Sequence, residues 1–98
     1  QVCFFGHTHV PLAFEKFGDI IGGKYREIVF QPGHKYLINV ASVGQPRDGD
    51  PRAGFAVYSP EERRVELFRV EYDIKSSQKK ILEAGLPERL AQRLAFGR

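Results

Sequence analysis

The sequence contains no methionine, no tryptophan and a single cysteine, Cys3. One cysteine cannot form a disulfide within the chain. A thiol inside an apolar run is typical of a small buried residue in a reducing compartment, so we expect a cytoplasmic protein. No apolar segment approaches the ~20 residues of a membrane span, which disfavours a membrane partner. Because methionine is absent and the chain opens directly on an apolar strand, we expect a fragment of a longer protein.

Long runs of one charge are also missing. Lysine and arginine number 15 against 12 aspartates and glutamates, which gives a net charge of +3 over 98 residues. This mild excess suits anionic substrates, but no basic tail of the kind that binds nucleic acid is present. A composition of 42% hydrophobic and 28% charged residues is typical of a globular chain. The length allows one domain at most.

Short apolar runs separated by glycine- and proline-containing turns predict strands over residues 1–72. The first run, residues 2–5, has the composition of a strand buried on both faces. A second buried strand is predicted over residues 36–43. Residues 53–58 and 65–72 form a predicted hairpin. The apolar residues of its second arm change phase, which indicates either a bulge or two covered faces.

Helical periodicity predicts two helices over residues 73–98. Asp73 is a suitable N-cap for the first helix, and Gly85 is its predicted C-cap. Pro87 is the predicted first residue of the second helix. The order of elements is therefore a β-rich part followed by two helices.

Two histidines separated by one residue follow the first strand directly, in the motif Gly6-His7-Thr8-His9. Imidazole is a common metal ligand, and α/β sheets bind ligands at the carboxyl ends of their strands. Two solvated surface histidines are the alternative. The third histidine, His34, lies in a predicted turn and is expected to be solvent-exposed.

A second polar segment, residues 44–52, follows the second buried strand and contains two each of proline, glycine, aspartate and arginine. Loops of this kind on a rigid sheet often carry function. A plain surface connection is the alternative.

These two segments together resemble the calcineurin-like metallophosphoesterases. That family has the signature Gly-His-x-His, which corresponds to residues 6–9 here, followed by Val10-Pro11. Its closing strand and loop, Asn-Pro-Gly-Ser-Val-Gly-x-Pro-Arg, is similar to the stretch from Asn39 to Arg47. Val40 and Ala41 replace the family's Pro-Gly, and this departure predicts a less turn-like backbone.

The resemblance extends over the whole chain, including Gly85-Leu86-Pro87 in the helical tail, but corresponds only to the family's C-terminal third. It implies an α/β fold that has an α+β appearance in this fragment: a β-rich sheet followed by two helices, as the C-terminal part of a four-layer α/β/β/α metallophosphoesterase sandwich. Without the rest of the sandwich, the fragment is expected to expose apolar surface and to oligomerise through it.

The resemblance also implies two divalent metal ions, with His7 as a ligand of one and His9 as a ligand of the other. Thr8 would be the spacer, and Gly6 would let the backbone turn toward the ions. Mn, Fe or Zn suits such a ligand set, and the metal-activated water would be the catalytic group.

Further residues are assigned to substrate binding or to support of the ligands. Arg47 has the geometry that phosphate requires. Asp48 has the same assignment unless it pairs with Arg47. Gly6, Thr8 and Asn39 complete this group.

The family's other ligand motifs, Asp-x-His, Gly-Asp-x-x-Asp and Gly-Asn-His, do not occur in this sequence. We therefore expect a phosphoesterase in the intact protein, acting on a phosphorylated small molecule, a nucleotide or a phosphoprotein, and an inactive fragment. A metal-free interaction or scaffold module on the same fold is the alternative. A nucleic-acid-binding module is disfavoured, because most phenylalanines are expected at core positions.

Overall fold

The computed structural model describes all 98 residues and contains seven strands followed by two α-helices. The elements are β1 (Val2–Phe5), β2 (Ala13–Phe17), β3 (Asp19–Gly23), β4 (Glu27–Val29), β5 (Lys35–Asn39), β6 (Ala53–Ser59), β7 (Arg64–Val70), α1 (Ile74–Glu83) and α2 (Glu88–Gln92), with a 3-10 turn at Arg93–Ala95. The predicted β-rich part followed by two helices is confirmed, and the chain has an α+β fold.

The strands form two sheets. The first has the order β1-β5-β2-β3, in which β1 and β5 are parallel and the other neighbours antiparallel. The second has the antiparallel order β4-β7-β6. The carboxyl ends of parallel neighbours lie at the same edge of a sheet. The loops after β1 and β5 therefore leave the first sheet side by side, and these loops contain the two segments that resemble the phosphoesterase motifs.

A small core lies between the sheets, and the opposite face of the first sheet is uncovered. Ile38 of β5 and Val65 of β7 are completely buried. The side chains of a strand alternate between faces, so Leu37 lies on the outer face and is 43% exposed. Cys3 pairs with Leu37 and is also exposed. The predictions of a buried Cys3 and of a first strand buried on both faces are therefore wrong for this chain.

Most phenylalanines are exposed as well. Phe30 is buried, whereas Phe14, Phe17, Phe55 and Phe68 are between 37% and 67% exposed. The prediction that most phenylalanines occupy core positions is therefore wrong, and it no longer argues against nucleic-acid binding. The accessible surface of 6781 Å² exceeds the roughly 5,700 Å² of a compact monomer of this mass. The expected exposure of apolar surface is thus present.

The β6–β7 hairpin has a regular register. Its strands pair without interruption from Ala53 opposite Val70 to Ser59 opposite Arg64, so no bulge is present. Val65 is buried on the inner face, whereas Phe68 on the other face is 39% exposed. The change of phase in the sequence therefore reflects a second apolar face that is not covered.

Asp73 caps α1 as predicted, whereas the C-cap is Ala84 and the predicted C-cap, Gly85, is the next residue. The Asp73 carboxylate accepts a hydrogen bond from the Ser76 N–H at 3.0 Å. Gly85 has φ +76°, its N–H donates to the Leu82 carbonyl, and the Leu86 N–H donates to a carbonyl five residues earlier, which is a Schellman motif. Pro87 immediately precedes α2 rather than beginning it. Neither helix has the length and apolar character required to cross a membrane.

His34 is not the exposed turn residue that the sequence indicated. Its Nδ1 lies 2.5 Å from Glu15 Oε1, and its ring stacks on Phe17 with the centroids 4.1 Å apart. Its side chain is 21% exposed. The stacking and the carboxylate contact cover the imidazole, so the prediction of a solvated side chain is wrong.

Tyr25 connects the core to the end of β5. Its hydroxyl donates to the Asn39 carbonyl at 2.7 Å, and burial raises the pKa of this hydroxyl to about 12. We expect Tyr25→Phe to lower the free energy of unfolding by about 1–2 kcal/mol, because a buried hydrogen bond is lost. Urea denaturation measures this change. Tyr58→Phe is the matched control, since Tyr58 is 45% exposed. Equal destabilisation by the two variants would contradict the assigned bond.

Candidate functional site

The loops after β1 and β5 are joined by main-chain hydrogen bonds. The Val40 N–H donates to the Phe5 carbonyl at 3.1 Å, where the two strands end. Further out, the Arg47 N–H donates to the His9 carbonyl, also at 3.1 Å. The two predicted segments therefore form one continuous structure at the edge of the first sheet.

The side chain of Asn39 is hydrogen-bonded to the loop that contains His7 and His9, here called the histidine loop. Its side chain is completely buried, and its Nδ2 donates to the Gly6 carbonyl at 3.1 Å and to Thr8 Oγ1 at 2.9 Å. Its Oδ1 accepts from the Ala41 N–H at 2.9 Å. A single amide thus fixes both loops, and its burial favours support of the site over contact with a substrate.

The backbone of this site is strained. Four non-glycine residues have positive φ, and three of them lie in these loops: His7 at 72°, His9 at 61° and Ala41 at 73°. L-residues avoid this left-handed region, and such residues are concentrated at functional sites, where the surrounding structure enforces them. The hydrogen bonds of Asn39 on both loops supply part of that enforcement.

Ala41 has a left-handed backbone conformation. Its positive φ is the conformation that glycine favours, although alanine stands where the resembling family has glycine. The neighbouring strand residue Gly54 leaves room for the methyl group, since a Cβ at Gly54 would lie 2.7 Å from that of Ala41. Residues 40–42 form no turn or bend, which agrees with the predicted less turn-like backbone, although φ of Ala41 is left-handed.

His9 is oriented for ligation through Nε2. Its Nδ1 lies 2.8 Å from the Gln45 carbonyl oxygen. A carbonyl can only accept, so the proton of the neutral ring is on Nδ1 and Nε2 carries the free lone pair. Metal-binding histidines commonly donate their second ring nitrogen to a carbonyl in this way. His7 is exposed at the adjacent turn. The orientation of His9 therefore fits the role of a metal ligand, and the exposed His7 is accessible to an ion.

These two residues do not complete a metal site by themselves. The chain contains no group of three or more histidine, cysteine, aspartate or glutamate side chains placed to hold an ion. A divalent metal commonly requires at least four ligands. The site as present here supplies two candidate ligands with their support.

The side chains of Arg47 and Asp48 contact different residues. Arg47 is exposed, and its Nε donates to Gln45 Oε1 at 2.8 Å. Asp48 forms an ion pair with Arg69 of β7, so the alternative that Asp48 pairs with Arg47 is wrong. Both members of the Asp48–Arg69 pair are largely buried. Arg47 therefore remains available to an anion, whereas Asp48 anchors the loop.

A second acidic residue strengthens this anchor. Arg69 Nε lies 3.8 Å from Asp50, and Asp50 also bonds Arg52 at 2.8 Å. The hydrogen bonds from Arg52 lower the pKa of the Asp50 carboxyl to about 2. The loop is thus tied to the second sheet by charges on both of its aspartates.

Two residues of the site, Gln45 and Arg69, were not predicted from the sequence. Arg69 lies in the same strand phase as Val65 and Leu67, so an arginine on an inward-facing row was an available signal. Gln45 occupies the variable position of the resembling motif, and nothing in its neighbourhood marked it.

No family model matches the chain, but its fold and sequence match part of a metallophosphoesterase. The crystal structure of a metallophosphoesterase from Sphaerobacter thermophilus superposes with a TM-score of 0.91 and 44% identity, over 99% of this chain and 42% of that one. The resemblance predicted from the sequence is thereby confirmed.

Two further relatives are similar. An uncharacterized protein of Methanocaldococcus jannaschii is 41% identical over all 98 residues, which correspond to 40% of its length. A hypothetical protein from Pyrococcus horikoshii OT3, of known structure, matches 65% of this chain and 25% of its own with a TM-score of 0.57 and 30% identity. The chain spans less than half of each of these relatives.

Proposed function

We propose that this chain is part of a metal-dependent phosphoesterase, in which His7 and His9 each ligate one of two divalent ions. One observation supports this proposal above all. Hydrogen bonds join the strained His7–His9 loop to the Asn39–Arg47 segment at one edge of the first sheet. The similarity to a metallophosphoesterase over 99% of the chain supports it. The remaining ligands lie outside this chain.

Mn, Fe or Zn at such a site would supply Lewis acidity that activates water and stabilises charge on phosphate oxygens. The residues of this chain hold and orient the reacting groups. His9 presents Nε2 because the Gln45 carbonyl occupies Nδ1. Gly6 and Thr8 receive the hydrogen bonds from Asn39 that fix the loop.

Arg47 is the proposed phosphate-binding residue. Its guanidinium is exposed beside the histidine loop, and planar paired N–H groups match phosphate oxygens. Asp48 is assigned to support because its carboxylate is engaged by Arg69. The substrate class is a phosphomonoester, diester or phosphoanhydride on a small molecule, nucleotide or protein. We propose a cytoplasmic location, consistent with the single free thiol of Cys3.

The test is hydrolysis of p-nitrophenyl phosphate and its bis-ester by the intact protein. After chelation and dialysis, turnover is expected to be absent, and Mn is expected to restore it. Sustained turnover in the metal-free protein, or none with Mn, Fe or Zn, would contradict the proposal. A folded protein that binds no divalent metal would favour the alternative of an interaction or scaffold module.

A further inference from the structure

Gln45 contacts both His9, the candidate metal ligand, and Arg47, the candidate phosphate-binding residue. Its main-chain carbonyl accepts from His9 Nδ1 at 2.8 Å. Its side-chain Oε1 accepts from Arg47 Nε at 2.8 Å and from Nη2 of the same guanidinium. One residue therefore lies between the candidate metal ligand and the candidate phosphate-binding residue.

The main chain of Gln45 is fixed independently of its side chain. Its N–H donates to Ser42 Oγ at 3.0 Å, and the next residue, Pro46, is fully buried. The Arg47 N–H is held by the His9 carbonyl at 3.1 Å. Truncation of the Gln45 side chain should consequently leave the His9 contact in place, so the two roles of this residue can be separated.

The side chain of Gln45 restricts Arg47 without neutralising it. An exposed arginine samples many rotamers, and ordering them on binding costs affinity. The amide oxygen holds the Nε edge of the guanidinium, which leaves Nη1 and the second N–H of Nη2 as free donors. A carboxylate at this position would hold the same edge but would reduce the positive charge that attracts an anion.

We propose that Gln45 is a positioning residue, whose side chain holds the Arg47 guanidinium ready for phosphate while its carbonyl orients His9. The inference rests on the proposed function, because it requires that Arg47 bind phosphate. It goes beyond that function in assigning the ordering of Arg47 to a neighbouring neutral amide.

The test is calorimetric titration of the Mn-loaded intact protein with inorganic phosphate. We expect Gln45→Ala to weaken phosphate binding about fivefold, because the Arg47 side chain must then be ordered when phosphate binds. Arg47→Ala should weaken binding at least about tenfold, because a charged donor is lost. The double variant should bind no more weakly than Arg47→Ala alone, since Gln45 acts through Arg47. Bound Mn should be unchanged in Gln45→Ala.

Two further variants sharpen this result. Gln92→Ala removes a glutamine whose side chain donates a hydrogen bond to Glu88 on α2, and phosphate affinity should be unaffected. Gln45→Glu retains an acceptor but adds a negative charge, and it should weaken binding at least as much as alanine does. Wild-type affinity in either Gln45 variant would overturn the inference.

The outcomes separate this inference from the function on which it rests. Phosphate binding that depends on Arg47 but not on Gln45, or single-variant effects that multiply in the double variant, would overturn the role of Gln45 alone. A protein that binds neither Mn nor phosphate would overturn the proposed function and the role of Gln45 together.

Discussion

Replacing His9 by alanine in the intact protein is expected to lower Mn-dependent turnover more than about a hundredfold. Loss of a residue that merely orients a ligand commonly costs roughly 10–100-fold in metal affinity or activity, and loss of the ligand itself should cost more. His9 is the better oriented of the two histidines, because the Gln45 carbonyl fixes its ring. Metal content measured by mass spectrometry, together with turnover of p-nitrophenyl phosphate, measures the effect.

The chain offers a matched control for this experiment. His34 contacts Glu15 and Phe17, away from the candidate site, so His34→Ala should retain full metal content and turnover. His7→Ala should behave like His9→Ala and lose one of the two ions. Turnover within about threefold of wild type in His9→Ala, at saturating Mn, would show that this histidine is not a ligand.

Asn39→Ala is expected to lower the free energy of unfolding by about 2–4 kcal/mol. Three hydrogen bonds of a completely buried side chain are lost. The Ala41 N–H loses its partner, whereas the Gly6 carbonyl keeps the hydrogen bond from the Thr8 N–H at 2.9 Å. The left-handed conformations of His7 and Ala41 then lose part of their support. We expect weaker metal binding in addition to lower stability. Urea denaturation and Mn titration measure the two effects.

Two further variants show whether the donor group of the buried Asn39 amide is responsible. Thr8→Val removes one acceptor of Asn39 at an exposed position and should cost less than about 1 kcal/mol. Asn39→Asp keeps the bond from the Ala41 N–H but cannot donate to Gly6, so it should resemble alanine at neutral pH. An Asn39→Ala protein as stable as Thr8→Val would refute the role assigned to this residue.

Local chemistry made the ends of the elements predictable. Asp73 caps α1 because its short carboxylate reaches a free N–H, and Gly85 ends α1 because it adopts positive φ without steric cost. The first motif follows β1 as its apolar run predicted, whereas the second predicted strand, residues 36–43, ends at Asn39. Signals of this kind need only a few neighbouring residues.

Burial was less predictable, because it depends on which faces are covered. Cys3 and Leu37 have the apolar character of core residues, yet both lie on the outer face of the first sheet and are exposed. The alternation of residues in a strand predicts that one face is apolar, but it does not predict which element covers that face. The same reason explains the phase change at Phe68, which marked a second apolar face rather than a bulge.

The sequence indicated which loops lie together at the candidate site but not the contacts that hold them. The motif and its resemblance pointed to His7, His9, Asn39 and Arg47, and the fold brings their loops together. The ion pair between Asp48 and Arg69 joins residues 21 positions apart on different structural elements. No local pattern specifies such a contact, so the sequence suggested the nearer partner, Arg47.

The most direct test of the proposed metal centre is a crystal structure of the intact protein grown with zinc, with an anomalous difference map recorded at the metal edge. We expect two peaks, one about 2.0–2.1 Å from a ring nitrogen of His7 and the other at the same distance from Nε2 of His9. Nδ1 of His9 should remain bonded to the Gln45 carbonyl. Metal peaks that contact neither histidine, or a metal bound to Nδ1 of His9, would contradict the proposed site.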